Sequence, residues 1–153
     1  MARILVVEDD PDVRMMLVKV LELEGFSVHG VASGPEAVGA LDRGAFDLVL
    51  LDLMLGETSG YDVLREMEQQ GHREHVKVLM LTARGSETDI LEGWRHRVDD
   101  YRTKPFDVSD LIEAVRETLD RTPEELSRFR EAQLRRAELF NHLEAVFEDR
   151  ASP

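Results

Sequence analysis

From Leu48 to Leu55 the chain reads LVLLDLML, apolar at every position but one. A strand with apolar side chains on both faces must be covered on both, which is the situation of a central strand in a parallel sheet flanked by helices. The exception is Asp52, and burying an unpartnered carboxylate costs several kcal/mol. It must therefore emerge at the strand's end or meet a partner there.

The rest of the first 120 residues supports that setting. Strands are predicted at Arg3 to Glu8, Phe26 to Val31, Phe46 to Asp52, Val76 to Leu81 and, more weakly, Asp99 to Thr103. Helical patterns separate and follow them at Pro11 to Glu24, Pro35 to Arg43, Tyr61 to Gln70, Glu87 to His96 and Val108 to Asp120, with Gly25, Gly44 and Gly71 placed as stops. Five βα units in series imply an α/β fold, a doubly wound parallel sheet. Ligands of such sheets bind beyond the carboxyl ends of the strands, so the strand ends are where function is expected.

The net charge of −13 argues against direct nucleic-acid binding, which needs clustered Lys and Arg. No run is long and apolar enough for a membrane span or a signal peptide, and there is no cysteine; a cytoplasmic protein is expected.

Four strand ends carry polar groups. The first ends in Glu8-Asp9-Asp10 before Pro11; Asp10 suits a helix N-cap, which leaves Glu8 and Asp9 unexplained. With Asp52 they form a carboxylate cluster whose members raise one another's pKa unless a cation intervenes. An all-oxygen set suits a hard divalent ion, Mg²⁺ first. The fourth strand delivers the Thr82 hydroxyl and the fifth delivers Lys104, whose backbone is restricted by Pro105. Cation, hydroxyl, ammonium and carboxylate describe phosphoryl transfer: Asp52 as nucleophile, Thr82 and Lys104 on the phosphoryl oxygens. The bland readings, a strand-favouring Thr and a solvated Lys, hold for each residue alone.

In the order ILVVEDD, FDLVLLDLML through Gly60, VLMLTAR and DDYRTKPF, the motifs resemble the receiver domains of bacterial two-component response regulators, from Met1 to about Arg121. The resemblance implies a flavodoxin-like (βα)5 sheet in the order 2-1-3-4-5. It also implies phosphorylation of Asp52 by a sensor histidine kinase or phosphotransfer protein. Mg²⁺ would be held by Asp9, Asp52 and the backbone carbonyl of Met54, with Glu8 acting through water. Thr82 and Tyr101 match the switch pair, and Met54 and Arg84 the positions that tune phosphoryl lifetime. Such a protein is a phosphoacceptor rather than an enzyme acting on external substrates.

Three features depart from the family pattern. Gly56 replaces the usual Pro, which should loosen the loop after the third strand, and Arg97 replaces a Gly that would cap the fourth helix. Trp94 and Arg102 add bulk and charge to the fourth helix and fifth strand, so Trp94, Arg97 and Arg102 are assigned to a partner face. Two other readings of the fold remain: a phosphate-independent pseudo-receiver, and a haloacid-dehalogenase-like phosphatase. The latter needs an Asp where Met54 stands.

Residues 122–153 form a separate helical extension. Thr122, Pro123 and Glu125 mark its start, and Leu126, Phe129, Ala137, Phe140, Leu143 and Phe147 form a broad stripe. No output domain is recognisable in it. The stripe is expected to pair with a second copy or a partner's helix through residues 122–149; the alternative is that it folds back on its own receiver.

Overall fold

The computed structural model describes residues 1–83 and 87–151. In chain order the elements are β1 (Arg3–Val7), α1 (Pro11–Leu23), β2 (Ser27–Val31), α2 (Gly34–Arg43) and β3 (Leu48–Asp52). A short ribbon of β4 (Met54–Leu55) and β5 (Thr58–Ser59) follows, then α3 (Gly60–Gln69), β6 (Lys77–Thr82), α4 (Glu87–Arg95), β7 (Asp100–Thr103), α5 (Val108–Asp120) and α6 (Pro123–Ala151). The main sheet is parallel throughout, in the order β2-β1-β3-β6-β7. That is the expected 2-1-3-4-5 arrangement, and the strand and helix limits lie within two residues of those predicted.

Alternation along the strands builds two cores. Leu5, Val7, Val49, Leu51, Val78 and Met80 face the layer that contains α2 and α3. Ile4, Val6, Leu48, Leu50, Leu79 and Leu81 face α1 and α5. The helices begin where the sequence offers caps: Asp10, Ser33, Ser59 and Asp107 each accept backbone N–H bonds from the first turn that follows. Thr122 does the same for α6, accepting from the Glu125 N–H at 3.2 Å and donating to its carboxylate at 3.1 Å.

At Gly56 the chain turns tightly. Gly56 has φ +66°, a value that the proline common at this position cannot adopt, and it lets the chain reverse between β4 and β5. Gly60 answers a second constraint: a Cβ there would lie 2.5 Å from the Asp52 carbonyl oxygen. Its N–H donates to the Leu53 carbonyl at 2.6 Å, drawing α3 in under the end of β3.

Arg97 does what the absent glycine was expected to do. It takes φ +62°, while the Val98 N–H reaches back to Gly93 and the Arg97 N–H to Trp94, the bond pattern of a Schellman ending. The strain of a left-handed non-glycine residue is offset by two guanidinium groups on the Arg97 carbonyl, Arg73 and, at 3.3 Å, Arg130.

Arg130 belongs to α6, and the first half of that helix lies against α4. Phe129 meets Trp94 edge-on with ring centroids 5.8 Å apart, and the Arg121 guanidinium covers Phe129 at 3.9 Å. Leu126 is buried, while Leu134 and Ala137 are partly buried against the core. The expectation of an extension free to pair along its whole length is thus corrected for this half. Arg130 has a polar reason to dock, because Asp99 is buried and needs more than its bond from the Val78 N–H at 2.7 Å. Arg130 supplies it at 3.1 Å, with Arg73 at 3.8 Å. Removing a partner from a buried carboxylate costs about 1–3 kcal/mol. Arg130→Met should lower the urea midpoint by that equivalent and loosen α6, which limited proteolysis will detect as faster cleavage after Arg128 or Arg135.

Candidate functional site

The polar residues expected at the strand ends meet there. Lys104, just beyond β7, reaches across the sheet edge and donates to Glu8 Oε1 at 2.9 Å and Asp52 Oδ2 at 3.1 Å. Its own backbone N–H donates to the Thr82 carbonyl at 2.6 Å, fixing where the side chain starts. Asp52 is 7 % exposed, and its second oxygen accepts from the Met54 N–H at 3.2 Å. Thr82 is fully buried at the end of β6. Asp10 is occupied as the α1 cap, accepting from the Asp12 and Val13 N–H groups, so the acidic pair left for the site is Glu8 and Asp9.

The electrostatics follow from burial. Glu8 is 2 % exposed, and its pKa is pushed up to about 7, first by burial and then by the neighbouring Asp52 carboxyl; the Lys104 ammonium only partly opposes this. Burial alone would lower the pKa of Lys104, but its bond to Glu8 and the two negative charges raise it, so it stays a cation. One ammonium between two buried carboxylates leaves a deficit of positive charge. Glu8 Oε2 is buried with no hydrogen-bond partner among the described residues.

The deficit matches a metal. Glu8, Asp9 and Asp52 each offer a carboxylate oxygen, all within 4.8 Å of one another. Hard oxygen donors of this kind suit Mg²⁺ or a similar divalent ion.

Tyr101 is buried, its ring lying on the backbone of α4 where only a glycine leaves room: a Cβ at Gly93 would be 2.9 Å from Tyr101 Cδ2. Trp94 is buried beneath Phe129, so on this face the cover is the chain's own helix. Arg102 lies half-buried, with Nε donating to Asp100 Oδ2 at 3.1 Å, and the Arg97 side chain is exposed. Met54 sits on the ribbon beside Asp52 and is 64 % exposed. Arg84 lies outside the described residues.

Sequence reasoning missed two supports. Arg14, in the first turns of α1, donates to the Glu8 carbonyl at 2.9 Å and the Asp9 carbonyl at 3.5 Å, holding the acidic turn in place. Its only signal was a cation four to six residues past the acidic run. Asp99, buried behind the site and bonded to Arg73 and Arg130, was legible only as part of the DDY motif.

Comparisons with known proteins agree with this geometry. Residues 4–116 match the model of the response regulator receiver domain. The chain belongs to that family. Over 121 residues it is 44 % identical to the transcriptional regulatory protein TcrA of Mycobacterium tuberculosis, covering 79 % of this chain and 47 % of TcrA. Over 122 residues it is 39 % identical to the transcriptional regulatory protein CpxR of Escherichia coli, covering 80 % and 51 %. The chain thus spans about half the length of these curated relatives. Among solved structures it resembles the response regulator TrrA of Thermotoga maritima in complex with Mg²⁺-BeF, with 33 % identity and a TM-score of 0.68 over 77 % of this chain and 99 % of that one. The receiver domain of a putative LuxO repressor from Vibrio parahaemolyticus aligns over 94 % of this chain and 97 % of its own, at 25 % identity and a TM-score of 0.71.

A receiver-domain acidic cluster of this kind should bind a divalent ion in a pH-dependent way. Because the pKa of Glu8 is raised, the ion-free fold favours its protonated form; that contribution to stability is complete below the ordinary carboxylate pKa of 4.5 and is lost as pH rises through about 7. An ion favours the deprotonated form, so Mg²⁺ affinity should increase between pH 6 and 8. Calorimetric titration across that range checks the slope, and Glu8→Gln should flatten it.

Proposed function

We propose that the chain is a phosphorylation-controlled signalling module that accepts a phosphoryl group on Asp52. One observation carries this reading: the Asp52 carboxylate is presented at the end of a central strand, with Lys104 on one oxygen and a buried Glu8 oxygen nearby that has no partner among the described residues.

In this reading a carboxylate oxygen of Asp52 attacks the phosphorus of a phosphohistidine on a sensor kinase or phosphotransfer protein. The O–P bond forms as the P–N bond breaks, its electron pair returning to the donor imidazole. Lys104, already between Glu8 and Asp52, turns its remaining donors to the phosphoryl oxygens, and the Thr82 hydroxyl closes on one of them. Mg²⁺, held by Asp9, Asp52 and the Met54 carbonyl with Glu8 behind a water, would neutralise the charge that gathers on those oxygens. The phosphoryl group brings about two negative charges, and favouring the active state by about 5 kcal/mol suffices to invert a strongly biased equilibrium. Thr82 and Tyr101 are the groups through which that preference would pass to α4 and β7. By their place in the receiver sequence pattern, Met54 and Arg84 would govern how fast water removes the phosphoryl group.

The chain would thus be a regulatory phosphoacceptor and not an enzyme on external substrates. Met54 stands where a haloacid-dehalogenase-type phosphatase needs its second Asp, and the complete set Asp9, Asp52, Thr82 and Lys104 disfavours a phosphate-independent pseudo-receiver. Residues 1–121 would form the receiver and 122–153 its extension. A cytoplasmic site of action fits these partners, and no helix among the described residues is long and apolar enough to cross a membrane. The charge of −13 speaks against direct contact of this chain with nucleic acid.

With Mg²⁺ and acetyl phosphate the protein should gain the mass of one phosphoryl group, and Asp52→Ala should gain none. Lys104→Ala should bind the beryllofluoride mimic more weakly, by about tenfold or more, the loss of a charge-assisted hydrogen bond. Fluorescence of Trp94, the single tryptophan, reports the response at α4. A chain that neither forms the adduct nor binds the mimic is not a phosphoacceptor, and rapid steady release of phosphate would mark a phosphatase instead.

A further inference from the structure

The apolar face of α6 is covered over only part of its length. Leu126, Phe129, Leu134 and Ala137 turn toward the receiver, and the Glu138 carboxylate lies 3.9 Å from Arg95 of α4. Leu139, Phe140, Leu143 and Phe147 follow, exposed by 58, 47, 41 and 67 %. With 3.6 residues per turn and 1.5 Å rise, Phe140 and Phe147 share the face of Phe129 but lie about 16 and 27 Å further along the axis. The second half is not covered by the receiver: from Glu138 to Arg150 every side chain but Val146 is exposed.

We infer that this distal half of α6 is an interface, and that its occupant is the same segment of a second copy of the chain, running antiparallel. The charge distribution selects the partner. Of the arginines between Ser127 and Ala137, Arg130 is engaged by Asp99 and Arg135 and Arg136 adjoin the exposed half; from Glu138 to Arg150 the helix has four carboxylates and one arginine. An antiparallel copy sets the acidic end of each helix beside the basic middle of the other, whereas a parallel copy sets like against like.

The seam gives the same orientation. Arg136 shares its face with Phe140, Leu143 and Phe147, and its guanidinium already lies 5.6 Å from the Phe140 ring centre. In a parallel, in-register pair Arg136 would oppose Arg136 of the second copy in the middle of an apolar seam. Centred between Asn141 and His142, the antiparallel pair instead sets Phe140 against Leu143 and Arg136 over Phe147, a cation on an aromatic face. Arg135, strongly exposed and only 4.0 Å from its neighbour Glu131, then falls beside Asp149 of the second copy. The interface is isologous, so each contact occurs twice, and it is short, so association should depend on concentration.

Sedimentation velocity of the full chain over a wide range of loading concentrations tests this. A monomer–dimer equilibrium is expected, and Phe147→Asp should weaken it by at least about tenfold, as for a central aromatic contact. Arg135→Glu should weaken it too, with Asp149→Arg in the same chain restoring it at low salt. Because the chain has no cysteine, orientation can be read directly: a mixture of the Arg136→Cys and Phe147→Cys variants should oxidise mainly to the mixed disulfide. All these side chains are on the exposed part of α6, and matching circular dichroism shows that each variant is folded. A chain monomeric at every concentration overturns the inference, as does a dimer indifferent to Phe147→Asp or one that forms the two homodisulfides. A monomer that sediments with phosphatidylcholine vesicles assigns the stripe to a lipid surface and overturns it as well.

Discussion

The whole arrangement turns on one ammonium group held between two buried carboxylates. Glu8 ends β1 and Asp52 ends β3, and because those strands are neighbours in a parallel sheet their charges are forced together at one edge. Without a cation the edge would be unstable; with Lys104 it holds, and with Lys104 alone it remains short of positive charge. Burial first, and then that imbalance, raise the pKa of Glu8; one of its oxygens has no partner among the described residues, and a divalent ion is a natural addition. Phosphoryl chemistry at Asp52 would draw on the same imbalance, since the groups that hold the carboxylates are those that would receive the phosphoryl oxygens.

Behind this edge lies a second polar cluster. Asp99 is buried between β6 and the end of α4, and its charge is met by Arg73 from the segment after α3 and Arg130 from α6. The same two arginines hold the carbonyl of Arg97, whose left-handed conformation ends α4. The extension is thereby tied to the helix on which Tyr101 packs. Any movement of Tyr101 or Trp94 on phosphorylation would be felt by Phe129 and Arg130, which gives the site a physical route to the distal half of α6.

Much of this was legible beforehand because the signals were local. Apolar runs bounded by Gly and helix caps located the strands, and Asp52, Thr82 and Lys104 each sit at a strand end, where a parallel sheet must gather them. Arg14 and Arg73 were not legible: each acts on a backbone carbonyl or carboxylate brought close only by folding, and an arginine on a helix or in a turn looks the same in sequence whether it is solvated or engaged. Gly56 and Arg97 were correctly singled out as departures, but Arg97 ends the fourth helix as the glycine would have. The loss of proline at Gly56 permits a tight ribbon, and Arg97 reaches the conformation of the glycine it replaces because distant guanidinium groups stabilise its carbonyl.

The sequence by itself determined the alternation of strands and helices, the strand ends that carry carboxylate, hydroxyl and ammonium, and the amphipathic helix beyond Thr122, since each depends on periodicity, caps and residue chemistry within a few positions. Only the tertiary structure decided which part of that helix is already used. Its stripe looks continuous as a pattern of residues, yet Asp99 recruits Arg130 and Trp94 recruits Phe129, so the first half is spent on the chain's own receiver. Phe140, Leu143 and Phe147 lie further along the same helix and stay exposed. That division depends on where a buried charge 31 residues earlier comes to lie, and no local pattern encodes it.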